Sequence, residues 1–234
     1  MAPWRRFFEA AGFECVIPAL PGREPTSDEA LSRTGIGECF DRVLSAYDEL
    51  TEPPIVIGHS LGGLLAQKVA VLRSPRAAVL LAPIPPGVLW PQLSALPYLF
   101  PLLPRILTGR PFLPSERTMR AVPLNTLAPA EQDHLIPLLV RDSGRSFREM
   151  LVGAAVTRVN AAEVRCPVLC VSAGSDRNVA QWISRRIAAR YDAEHQVHPG
   201  LPHWIIAESA VEQVASPVLE WITRVLRHVD TADA

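Results

Sequence analysis

The run Ile55-Val56-Ile57-Gly58-His59-Ser60-Leu61-Gly62-Gly63 constrains this chain more than any other stretch. A β-branched apolar segment passes through a glycine-flanked serine straight into the helix-forming residues Leu64 to Ala70. It reads as strand, sharp turn, helix. Gly58 and Gly62, two residues either side of Ser60, remove side chains that would otherwise collide where strand and helix meet. Such a turn carries the Ser60 hydroxyl on its tip. It also sets the serine near the positive end of a helix, with the Leu61 backbone N–H free to donate to an oxyanion.

The flanking segments have compatible patterns. Trp4 to Ala11 has helical spacing, and Phe13 to Ile17 reads as a short strand closing at Pro18. The polar stretch from Glu24 to Arg33 reads as a loop, followed by a helix from about Gly37 to Leu50. Ala77 to Ala82 is a continuous apolar run of the kind buried on both faces of a parallel sheet. Cys166 to Ser172 returns to the sheet, Val179 to Arg190 is helical, and Glu194 to His198 is the last strand.

The segment 58–62 fits the pattern G-x-S-x-G, and with a strand before it and a helix after it the chain resembles the α/β-hydrolase family, which includes serine esterases, lipases and thioesterases. The resemblance covers essentially the whole chain. It implies one domain over 1–234, a mostly parallel sheet flanked by helices, formed by a core at about 1–83 and 158–234 with a cap insertion at about 84–157. It also implies the catalytic order Ser60, Asp176, His203, with Asp176 in the acid-bearing turn Ala173 to Asn178 and His203 in the turn after the last strand. Asp142 is the less favoured acid, and His198, read inside the strand, the less favoured base. His134, His195 and His228 read as surface residues.

The implied cap is rich in proline, with 12 of the chain's 23 prolines between Pro83 and Pro137, which excludes a regular sheet there. Its first half is expected as stiff loops, and Ala130 to Val140 and Ser146 to Val156 as helices. An apolar inner face would line a substrate pocket, making Trp90, Tyr98 and Phe100, with His59 beside the serine, the candidate substrate-binding residues.

The start of the chain departs from the family pattern. The strands that normally precede the first helix, and the His-Gly turn that supplies a second oxyanion donor, have no counterpart. Leu61 is the one donor that can be named. The absent strand would lie between Glu14–Pro18 and Ile55–Ile57, so either those two pair directly or the sequence is a product shortened at its start; the second is the expectation.

Composition narrows the partners. With 23 Lys and Arg against 24 Asp and Glu, the net charge of -1 provides no long-range field to attract nucleic acid or an acidic membrane. Small neutral ligands fit better than polyanions, and the resemblance together with the apolar cap implies an apolar ester or thioester as substrate. Gly87 to Pro104 is uncharged, but Pro91, Pro97, Pro101 and Pro104 would interrupt a membrane span. The charged first residues lack a signal-peptide core, so a cytoplasmic location is expected. Cys15, Cys39, Cys166 and Cys170 read as buried free thiols, and neither a metal-ligand spacing nor a G-x-G-x-x-G turn is present, so no metal or nucleotide cofactor is expected. Oligomeric state is left open. The expected function is a serine hydrolase acting through an acyl-enzyme. Alternatives are C–C bond cleavage, lactone opening or cofactor-free perhydrolysis on the same fold, or a non-catalytic scaffold with an incomplete oxyanion hole.

Overall fold

The computed structural model describes residues 1–22 and 28–232, with side chains to residue 227. The order is α1 (Ala2–Ala10), α2 (Asp28–Arg33), α3 (Ile36–Asp48), β1 (Ile55–His59), α4 (Leu61–Leu72) and β2 (Ala77–Leu81). There follow α5 (Leu96–Leu99), α6 (Leu103–Leu107), α7 (Glu116–Ala121), α8 (Pro129–Leu135) and α9 (Gly144–Val152). The chain then returns through β3 (Val168–Ala173), α10 (Gln181–Arg190), β4 (Glu194–His198) and α11 (Val211–Ala232). The four strands form one parallel sheet in the order β1-β2-β3-β4.

Because side chains alternate across a strand, β1, β2 and β3 each contribute to two cores. Ala77, Val79, Leu81, Leu169 and Val171 pack with Trp4 and Phe8 of α1 and Val214, Val218 and Trp221 of α11. Ala78, Leu80, Val168 and Cys170 pack on the other face with Ile36 and Phe40 of α3, Leu64, Leu65 and Val69 of α4, and Ile183 and Ile187 of α10. Every residue of β2 is buried, as its unbroken apolar run requires.

Three expectations need correction. Phe13 to Ile17 is not a strand: Val16 and Ile17 are exposed, and the segment does not pair with β1, whose only neighbour in the sheet is β2. An extended segment with no adjacent edge cannot satisfy its peptide groups through a ladder, so its β propensity is not expressed. The loop read over Glu24 to Arg33 contains α2. Asp28 and Glu29 in its first turn and Arg33 in its last complement the helix dipole, and Leu31 anchors it in the core; residues 23–27 lie outside the described residues.

The third correction concerns prolines. The segment 93–107 is a nearly unbroken succession of helical turns, because Pro97, Pro101 and Pro104 fall within the first two positions of their turns, where a missing N–H is harmless. In the later half, α8 and α9 lie where helices were read. α9 ends earlier than Val156 because Gly153 takes the left-handed conformation, at φ 61°.

Candidate active site

β1 ends at His59, and the chain turns so sharply into α4 that Ser60 is held at φ 54° and ψ -117°. A non-glycine residue in that region carries strain of about 1–3 kcal/mol, which the surroundings must overdetermine. They do so through the backbone: Ser60 N–H donates to Leu81 O at 3.0 Å, and Ile84 N–H donates to Ser60 O at 3.1 Å. The end of β2 therefore clamps the serine from both sides. A Cβ on Gly58 would lie 2.1 Å from Gly62 O, and one on Gly63 would lie 2.6 Å from Pro83 Cβ. Gly62, which the flanking-glycine pattern singles out, would meet nothing within 4 Å. The steric requirement thus falls on Gly58 and Gly63.

The loops after β3 and β4 approach the same rim. Gly174 N–H donates to His198 O and Ser175 N–H to Leu201 O, both at 2.9 Å, so the two loops are tied to each other through their backbones. Asp176 is buried; its Oδ1 accepts from the N–H groups of Asn178, at 2.6 Å, and Val179, at 2.8 Å. Its Oδ2 accepts from His203 Nδ1 at 2.7 Å. Ser60 Oγ lies 2.9 Å from His203 Nε2, to which it donates when Nδ1 holds the ring proton. The sequence-predicted Ser60, Asp176 and His203 are therefore brought together in one hydrogen-bonded chain.

This arrangement has a definite chemical capacity. His203 Nε2 can take the Ser60 proton as the oxygen attacks, and the buried carboxylate on Nδ1 stabilises the imidazolium that results. Leu61 occupies the first position of α4, where the helical ladder provides its N–H with no acceptor, which leaves it available as a donor next to Ser60. The two alternatives lie apart from this chain. Asp142 pairs with Phe112 in an isolated antiparallel bridge, and His198 closes β4, buried and with its Nε2 unpartnered.

His59 has a clear place. Its Nε2–H donates to the backbone carbonyl of His203 at 2.8 Å, its ring centroid lies 4.9 Å from that of His203, and its edge meets Trp204. Burial, reinforced by the charge of a protonated His203, lowers its pKa to about 3. A neutral His59 thus fixes the backbone of the base without competing for its proton.

A cavity of about 1210 Å³ opens beside Ser60 and His203. It runs along the free edge of β1 to Phe13 and Ile17 and passes beneath Leu89, Tyr98 and Leu99. His59 and Tyr98 contribute to its wall. Trp90 and Phe100 do not: they are 66% and 73% exposed, on the outside of the segment above it. Several supporting residues escaped the sequence reading. Gln67, a buried amide inside apolar α4, donates to Gly63 O at 3.0 Å and Ile84 O at 3.3 Å and accepts from Tyr191 Oη at 2.8 Å. Its isolation on an otherwise apolar face was the available signal. Gln92 donates to Asp176 O at 2.7 Å and Asn125 to Ser175 O at 3.1 Å, tying the 84–157 segment to the acid loop; nothing local in the sequence marks them. Of the surface histidines, His195 is half-buried and bonds Ser172, while the side chain of His228 lies outside the described residues.

With fold and geometry established, comparison with known proteins defines the class. The family model described as the Alpha/beta hydrolase family matches residues 2–216, and the chain belongs to that family. Among individual relatives, it is 24% identical to the magnesium-chelatase 30 kDa subunit of Rhodobacter capsulatus, over 91% of this chain and 78% of that protein. Its fold is similar to that of the Paleococcus ferrophilus monoacylglycerol lipase, with a TM-score of 0.62 at 23% identity, covering 82% of this chain and 76% of the lipase. It is also similar to the methylesterase MES16 from Arabidopsis, with a TM-score of 0.65 at 15% identity, covering 98% and 92%. Among the described residues no helix is long and apolar enough to cross a membrane, and no group of three or more His, Cys, Asp or Glu could hold a metal ion.

Proposed function

We propose that the chain is a serine hydrolase cleaving carboxylic esters or thioesters of small to medium apolar acyl groups. The observation that carries this reading is the hydrogen-bonded chain from Ser60 through His203 to Asp176 at the mouth of a largely apolar cavity. Ser60 attacks the acyl carbon as His203 removes its proton, and the Leu61 N–H stabilises the oxyanion. His203 then protonates the departing alcohol or thiol, leaving an acyl-enzyme. Water enters, His203 takes its proton, and the acid leaves with Ser60 regenerated. Residues 84–157 act as a cap over this site, with Tyr98 and His59 in the substrate wall. The four free cysteines support a reducing, cytoplasmic setting.

A non-catalytic role is the rival reading, because Leu61 is the one oxyanion donor identified; loss of one such donor typically lowers turnover about 100 to 1000-fold. Hydrolysis of p-nitrophenyl esters of two to twelve carbons separates the two. The proposal expects saturable hydrolysis that is abolished in Ser60→Ala and falls for chains too long for the cavity. No Ser60-dependent hydrolysis at any length would favour the scaffold, with ligand binding retained in Ser60→Ala.

A further inference from the structure

The segment 93–107 is apolar on both faces. Inward, Ala95, Leu99, Leu102 and Ile106 recur at spacings of three and four; Ile106 is fully buried, and Leu99 and Leu102 line the cavity. Outward, Leu93, Leu96, Phe100 and Leu107 recur at spacings of three, four and seven, and all are exposed, Leu93 at 84%. Trp90, also exposed, extends this surface. The intervening exposed positions Pro97, Pro101 and Pro104 add no charge, and Ser94 and Arg105 are the only exposed polar residues from 93 to 107. A helix facing water on one side normally carries polar residues there, and one apolar all round is covered on both sides. The inner face has its cover, whereas the outer face has none among the described residues.

Charge indicates what covers it. From Pro83 to Ser115 there is no Asp or Glu, and Arg105 and Arg110, both exposed, stand at the end of the stripe, Arg105 with one N–H on Pro111 O at 3.1 Å. The net charge of -1 gives the whole chain no long-range attraction to such a surface, but locally the aromatic and leucine side chains beside arginines match an anionic lipid interface, where the apolar groups enter the acyl boundary and the guanidinium groups meet headgroup phosphates at contact. A second protein copy would gain nothing from that exclusion of acids.

We propose that the outer face of 93–107, with Trp90, is a docking surface for an anionic lipid bilayer. It sets the cavity-lining face of the same segment one helix thickness from the membrane. The proposal does not depend on Ser60 chemistry.

The test is flotation of the purified full chain with vesicles of phosphatidylcholine alone and of phosphatidylcholine with phosphatidylglycerol. The chain is expected to float with the anionic vesicles and several-fold less with the neutral ones. The double variant Leu93→Glu/Leu107→Glu should lose at least tenfold of this binding, and Arg110→Glu should lose a few-fold on anionic vesicles only, both with unchanged thermal midpoint and circular dichroism. Failure of the wild type to float, or equal flotation of wild type and double variant, would overturn the proposal. A wild-type dimer in sedimentation velocity that the double variant dissociates, with no effect on flotation, would assign the face to a second copy instead.

Discussion

The two sides of the sheet differ sharply in how completely the chain satisfies itself. On the β2-β3-β4 side, β2 and β3 are paired along both edges and buried throughout, β4 forms the far edge of the sheet, and the loops bearing Asp176 and His203 are cross-tied by backbone hydrogen bonds. On the β1 side, the outer edge of the strand faces a cavity, and Phe13 to Ile17 lies beyond it without a ladder. Asp176 and His203 therefore come from the closed side, and the cavity opens on the other. Ser60 stands at the boundary, clamped by the closed side through Leu81 and Ile84.

This contrast can be broken at several points. The largest effect belongs to the closed side. Asp176→Asn should lower esterase turnover by about 10⁴-fold, because an amide does not stabilise the imidazolium on His203; a loss below tenfold in steady-state kinetics would mean that Asp176 only caps its loop. Next is stability. Leu169→Ala on β3 should cost about 2–5 kcal/mol, whereas Ile17→Ala on the open side should stay within about 0.5 kcal/mol. Equal costs in urea unfolding would show that 13–17 is packed as firmly as β3.

A smaller effect concerns acid. His59 has its folded-state pKa lowered to about 3, below its unfolded value near 6.5. The stability this contributes is complete above about pH 6.5 and is lost as pH falls toward 3, at up to about 1.4 kcal/mol per pH unit. His59→Gln, which keeps a donor for His203 O, should flatten that acid limb in pH-dependent unfolding; an unchanged slope would assign the acid sensitivity elsewhere.

How much of this was legible in the sequence follows the same division. Ala77–Leu81, Glu194–His198 and the turn around Ser60 were readable because each declares itself locally, through an unbroken apolar run, a short bounded strand, or glycines around a serine. Asp176 and His203 were readable only through resemblance, since a loop aspartate and a loop histidine carry no local signal. Phe13 to Ile17 was misread because strand propensity says nothing about whether a partner edge exists. The first half of the 84–157 segment was misread because prolines end helices at interior positions and begin them at the first turn, and spacing alone does not say which applies. Trp90 and Phe100 were assigned to the pocket on composition, whereas helical phase turned Phe100 outward and left Tyr98 inside, and Trp90 lies exposed in the irregular stretch before the first helical turn.

The central claim is that Ser60 is an activated nucleophile. Intact mass of the purified chain after exposure to a fluorophosphonate, beside Ser60→Ala treated identically, tests it most directly. The account predicts a single adduct on the wild type that is absent from Ser60→Ala. An unmodified wild type, or an adduct that persists in Ser60→Ala, would contradict it.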